Sequence, residues 1–126
     1  MDLNVVLWIL QVILALMFLL AGVMHATKRS APPKGMEWLQ AIPAPQVTLI
    51  AVLEILGAIG LVVPAATGIL PILTPLAALG LALLMLGAAI FHLRRAGERG
   101  NAVMNLVVGA VLLFLAYGRF VLEPLS

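Results

Sequence analysis

Residues 47–63 read VTLIAVLEILGAIGLVV, an apolar stretch interrupted by a single carboxylate, Glu54. At about 1.5 Å of helical rise per residue, a run of this length nearly crosses a hydrocarbon layer about 30 Å thick. A charged side chain near the centre of a bilayer costs about 3 kcal/mol or more, so such a group faces a partner, a cavity or a ligand. Outward from this stretch, three more apolar runs occupy residues 3–24, 71–93 and 102–122. The 126 residues are 64% hydrophobic and 10% charged, too apolar for one small soluble core to hide. The expected fold is all-α: an integral membrane four-helix bundle forming a single domain over residues 1–126. Its spans fall at about 3–24, 47–63, 71–93 and 102–122, with no room left for a soluble catalytic module.

The connections carry the charge. Lys28, Arg29 and Lys34 lie in the first loop and Arg94, Arg95 and Arg99 in the third, whereas the other side carries only Arg119. The positive-inside rule then puts loops one and three in the cytoplasm and both termini outside an inner (cytoplasmic) membrane. The start, Met1-Asp2-Leu3-Asn4, lacks a basic n-region and leads into too long an apolar run for a cleaved signal, so the first helix is expected to be permanent. In the first loop, Pro32-Pro33 and Pro43-Ala44-Pro45 bracket residues 35–42. With Met36, Leu39 and Ile42 every third residue and Trp38 suited to headgroups, this segment reads as a short interfacial helix. A lid over a pocket is the alternative. Residues 64–70 read as a tight outer turn beginning at Pro64.

Several chemistries drop out early. The chain has no cysteine, which excludes a dithiol relay, disulfides and thiolate metal or cluster ligation. A net charge of +2 gives no footprint for nucleic acid, and no metal is expected, because the two histidines and the carboxylate come from three helices without ligand spacing. No nucleophile and base pair or cofactor motif marks an autonomous enzyme.

Helical spacing shows which polar residues can meet. Gln11, Ala15, Phe18, Gly22 and His25 share one face of the first helix, and Ala51, Glu54, Ala58 and Leu61 one face of the second. Ala78, Leu81, Met85, Ala88 and His92 do so in the third, and Asn101, Asn105, Leu112 and Ala116 in the fourth. Small residues accompany each polar stripe, as close packing in membranes requires, so the stripes should face inward. His25, His92, Asn105 and Glu54 all fall in the cytoplasmic half. With Gln11 they form the candidate polar cluster, either a packing device or a pocket for a lipid-soluble molecule such as a quinone. Gly57, Gly60, Gly80 and Gly87 read as packing positions, Met17, Met24, Met85 and Met104 as apolar filler, and Arg119 as an arginine snorkelling at the outer interface beside Tyr117 and Trp8.

The run FLLAGVM at 18–24, LEILGAIGL at 53–61 followed by Pro64, His92 with its basic sequel, Asn105, and Tyr117-Gly118-Arg119-Phe120 together resemble the DoxX-like proteins over nearly the whole chain. The resemblance implies a compact four-helix membrane bundle. It also implies a range of roles, from membrane subunits of thiosulfate:quinone oxidoreductase to oxidative-stress complexes and receptor assembly. His25 stands where relatives often have lysine, which makes any pairing with Glu54 pH-sensitive. Three readings follow. The first is an accessory, quinone-binding subunit among redox enzyme subunits in the lipid bilayer. The second is a structural or assembly scaffold without ligand, and the third a small proton-coupled transporter working as a homodimer.

Overall fold

The computed structural model describes residues 1–125. It contains four α-helices, α1 (Leu3–Thr27), α2 (Ala44–Thr67), α3 (Leu73–Leu93) and α4 (Arg99–Tyr117), and no strand among the described residues. A π-helical turn, Gly118–Leu122, prolongs α4. Four helical segments are long and apolar enough to cross a membrane. Loops one and three share one end of the bundle, called the basic end below, and the chain termini and the α2–α3 turn share the other, the terminal end.

Each helix boundary has a local cause. Asp2 caps α1 by accepting from the Asn4 amide at 3.0 Å, satisfying one of the free donors of the first turn. α2 opens after Pro43 with Pro45 in its first turn, where a missing N–H costs nothing. Contrary to the sequence expectation, α2 does not stop at Pro64 but runs to Thr67 and ends at Gly68, whose φ of +71° is a left-handed C-cap. Proline at 64 removes the donor that the Gly60 carbonyl would otherwise use. The Thr74 hydroxyl, reaching from α3, donates to that carbonyl at 3.0 Å instead, so the helix continues through proline with its backbone satisfied.

The expected interfacial helix over residues 35–42 is not present. Only a 3-10 turn, Glu37–Ala41, forms there. Met36, Leu39 and Ile42 recur at every third residue, which matches the three-residue repeat of a 3-10 turn, and the strap is tied down by side-chain hydrogen bonds. The Arg29 guanidinium donates to the Ile42 carbonyl at 2.8 and 3.2 Å, and the Gln40 amide donates to the carbonyls of Arg29 and Ser30 at 3.0 and 3.3 Å. Leu39 is buried and Trp38 turns inward.

The helices pack in chain order, α1 on α2, α2 on α3 and α3 on α4. At the terminal end α1 also meets the π turn, where a Cβ added to Gly118 would lie 2.7 Å from Leu7. The core runs through Leu7, Leu14, Leu61, Leu81, Val108, Leu112 and Leu115, and many other leucine, isoleucine and valine side chains, Leu16, Leu20, Leu56 and Leu83 among them, point outward. Glycine marks the closest approaches. At Gly22 an added Cβ would lie 2.7 Å from Ile55 and 3.0 Å from the Ala51 carbonyl, and at Gly60 it would lie 2.8 Å from the Ala77 Cβ. Gly57 is equally tight against Leu81, whereas nothing lies within 4 Å of a Cβ at Gly80 or Gly87. The expectation that all four of these α2 and α3 glycines are packing positions thus holds for the α2 pair alone.

Gly22→Ala is expected to destabilise the protein by about 1–3 kcal/mol, because the added methyl meets backbone that cannot yield. Gly80→Ala should stay within about 0.5 kcal/mol of the parent. Thermal unfolding in detergent, compared across both variants, checks this contrast.

Candidate functional site

At the basic end, α1 delivers His25 to the buried face of α2. The His25 Nδ1 atom lies 2.5 Å from Glu54 Oε1, with the Glu54 side chain 3% exposed. The last turn of α3 delivers His92, whose Nδ1 lies 2.7 Å from Glu98 Oε1. The other Glu98 oxygen accepts from Arg95 Nε at 2.8 Å. Burial pushes the Glu98 carboxyl upward, but hydrogen bonds from His92 and Arg95 and the Arg95 charge outweigh it and hold the group below its ordinary range. Each imidazole thus has one nitrogen held by a carboxylate, which fixes its ring.

Trp38 joins the two pairs. Its ring stands edge-on to His25 at 5.2 Å and to His92 at 5.1 Å between centroids. Phe91 lies beside it at 6.2 Å, with Arg95 over the Phe91 face at 5.4 Å. Beneath this aromatic strap is a cavity of about 630 Å³ bordered by α1, α2, α3 and α4. His25, Glu54, His92 and Asn105 all line it. The Asn105 Nδ2 atom is buried and has no hydrogen-bond partner among the described residues. An unpaired buried donor costs about 1–3 kcal/mol, so this amide is poised for an acceptor that the protein does not supply.

Gln11 is elsewhere. Its amide nitrogen donates to the Leu61 carbonyl at 2.7 Å, and its oxygen accepts from Arg119 Nε at 2.7 Å. Arg119 Nη1 donates to Asn4 Oδ1 at 2.8 Å and to the Glu123 carbonyl at 3.1 Å. Arg119 is 2% exposed, with its guanidinium 5.9 Å from the centre of the Trp8 ring. It does not snorkel as the sequence suggested. The π turn and the close Gly118–Leu7 contact bring it inward, where acceptors from α1 and the C-terminal backbone surround it. The bundle therefore has two polar centres, one at each end. The terminal-end centre is closed, with its donors matched to acceptors, and the basic-end centre opens onto a cavity.

The model of the DoxX-like family matches residues 9–115. The chain belongs to the DoxX-like family. Family membership and the four spanning segments make it a multi-pass membrane protein. Neither curated proteins nor solved structures provide a match. Among the described residues of this DoxX-like protein, no group of three or more His, Asp or Glu side chains is placed to hold a metal ion.

Two residues of the basic-end polar centre are not evident from the sequence as part of it. Glu98 was hidden by reading the third loop as merely basic, although its spacing of three from Arg95 and six from His92 was visible. Trp38 was read as a headgroup anchor, and only the folded strap shows it between two imidazoles. Two predictions test these centres. Glu98 is held below its ordinary value of 4.5, so its contribution to stability is complete above that pH and is lost as pH falls through the lower folded value. Acidification from pH 6 to pH 3 should loosen the third loop, seen as faster amide exchange at residues 93–99, and Glu98→Gln should loosen it already at pH 6. Gln11→Leu deprives the buried guanidinium of an acceptor and should cost about 1.5–3 kcal/mol of unfolding stability, leaving ligand retention at the other end unchanged.

Proposed function

We propose that this protein is an accessory membrane subunit of a quinone-linked redox system, holding a lipid-soluble molecule in the basic-end cavity. One observation carries the reading: a cavity of about 630 Å³, walled mostly by apolar side chains, whose few polar groups include two carboxylate-held imidazoles, Asn101 and the unpartnered amide donor of Asn105. Binding sites for small hydrophobic molecules have this composition, apolar walls with a few placed polar groups that fix orientation. A quinone fits the donor set, because its carbonyl oxygens accept hydrogen bonds that Asn105 Nδ2 and a protonated imidazole can give. Such a group, when bound, supplies reversible two-electron, two-proton chemistry.

The chain's own residues supply the rest. Asn105 orients the ligand, and Trp38 with the first-loop strap excludes water from above. The His25–Glu54 pair holds a proton beside the cavity, and His92 offers a second titratable ring coupled through Glu98 to the loop. Electrons enter and leave by way of another subunit, since the chain has no redox-active thiol. By the positive-inside rule, the basic residues of loops one and three support a cytoplasmic position for this end, with the protein in the inner membrane. A scaffold without ligand is the competing reading, supported by the direct pairing of Glu54 with His25, which satisfies the carboxylate without any guest.

Native mass spectrometry of gently purified protein, with extraction of bound lipid, separates the two. Wild type should retain a stoichiometric quinone or other isoprenoid that Glu54→Gln loses. If both proteins come out empty and equally folded, the scaffold reading replaces this one.

A further inference from the structure

The cavity has a floor, a roof and one side without a wall. Every methionine after Met1 lines it: Met17, Met24, Met36, Met85 and Met104. Filler would be scattered through the core, whereas these thioethers from three helices and the strap converge on one space. Methionine is polarizable and flexible, and it makes favourable contacts with aromatic rings. With Trp38 and Phe91 in the roof, the lining suits a flat conjugated ring better than a saturated chain. The open side is defined by Met17, Leu20, Leu83 and Met104. All four border the cavity and are nonetheless 43%, 62%, 63% and 61% exposed. At 1.5 Å per residue they lie roughly 8 to 15 Å from the basic ends of their helices, within the depth of the hydrocarbon layer. α1 reaches α4 and its π turn at the terminal end through Arg119 and Gly118, and at this depth the space between α1 and the α3–α4 pair is cavity.

We infer that the site takes an amphiphile with a planar, carbonyl-bearing ring and an apolar tail. The ring carbonyl accepts from Asn105 Nδ2, and the tail leaves sideways into the bilayer between α1 and the α3–α4 pair. This rests on the cavity being a ligand site, as proposed above, and adds which part of the ligand is held and by what route it enters. Entry is from the membrane, because the Trp38 strap covers the basic end.

The test uses the full chain in lipid nanodiscs with Trp8→Phe, which leaves Trp38 as the sole tryptophan. Two benzoquinones with the same ring, one carrying an isoprenoid tail and one a methyl group, are titrated while quenching of Trp38 is read. Concentrations are expressed as mole fraction in the bilayer, from partitioning into empty nanodiscs. The tailed quinone should bind at least about tenfold tighter, the equivalent of about 1.4 kcal/mol. Asn105→Leu should weaken both ligands by about the same factor, as loss of one net hydrogen bond implies. Leu20→Phe with Met104→Phe should weaken the tailed ligand alone. Equal binding of the two quinones in the parent protein overturns lateral exit of the tail while leaving the cavity a ligand site, and this comparison decides even if the double variant does not fold. An Asn105→Leu protein that binds both as well as the parent overturns the amide's role. A phospholipid retained at the opening that neither quinone displaces overturns the ligand class. Absence of saturable quenching by either quinone removes the inference and the quinone-binding reading together.

Discussion

The Glu54 carboxyl group sits within a membrane-spanning helix where only protein or lipid can answer it, and the imidazole of His25 answers at 2.5 Å. Much of the basic half follows from that one contact. For His25 to reach Glu54, α1 must lie directly on α2. The approach is so close that any side chain at residue 22 would crowd α2, with Ile55, the Ala51 carbonyl and the Glu54 Cβ all within 3.4 Å of where it would begin. Committing α1 to α2 in this way draws it from the opposite pair, α3 and α4, which pack on each other. The gap that results is the cavity. A buried carboxylate is thus both the reason the first two helices dock and the reason the other side of the bundle stays open.

The terminal end shows what the same bundle does when a polar centre is purely architectural. Arg119 brings a charge into the interior, and the structure surrounds it with Gln11, Asn4 and a backbone carbonyl from Glu123. Gln11 itself is fully used, one end on Arg119 and the other on the Leu61 carbonyl. Leu61 lies beside the stretch that Pro64 deprives of a helical donor, and Thr74 supplies the neighbouring Gly60 carbonyl. In hydrocarbon every backbone and side-chain polar group needs an internal partner, and here they have one. The unmatched Asn105 donor at the other end is therefore a local exception in a chain that elsewhere meets this requirement.

Much of the fold was legible because its signals are periodic. The inward stripes of Ala51, Glu54, Ala58 and Leu61, and of Gln11, Phe18 and Gly22, are the buried faces of α2 and α1, since three-and-four spacing depends on helix geometry alone. What the spacing could not show is depth-wise pairing. Gln11 and His25 share a face of α1 but are separated by about 21 Å of helix, so a common stripe does not make a common site. Pro64 misled because the rescuing hydroxyl, Thr74, belongs to the next helix. Residues 35–42 misled because an apolar residue at every third position fits a 3-10 turn as well as an α-helix. Arg119 misled because its inward turn depends on a π-helical register that no side-chain pattern announces.

The two imidazoles are not equivalent, and the difference bears on what the cavity can do. His92 pairs with Glu98, a loop carboxylate shared with Arg95 and partly open to water. His25 pairs with Glu54, buried on a membrane helix with no other ionic partner. Trp38 stands between them and has an N–H but no acceptor, so it separates the rings without relaying a proton. A ligand under the strap would therefore meet one histidine backed by a partly exposed loop carboxylate and another backed by a carboxylate buried on a membrane helix. The Gly35 backbone at φ +89° and the prolines at either end of residues 35–42 fix the path of that strap across the cavity. A packing device needs neither an unpartnered buried amide nor a cavity beneath an aromatic strap, and it is these features, more than the presence of polar residues in a membrane, that support the ligand reading over a scaffold.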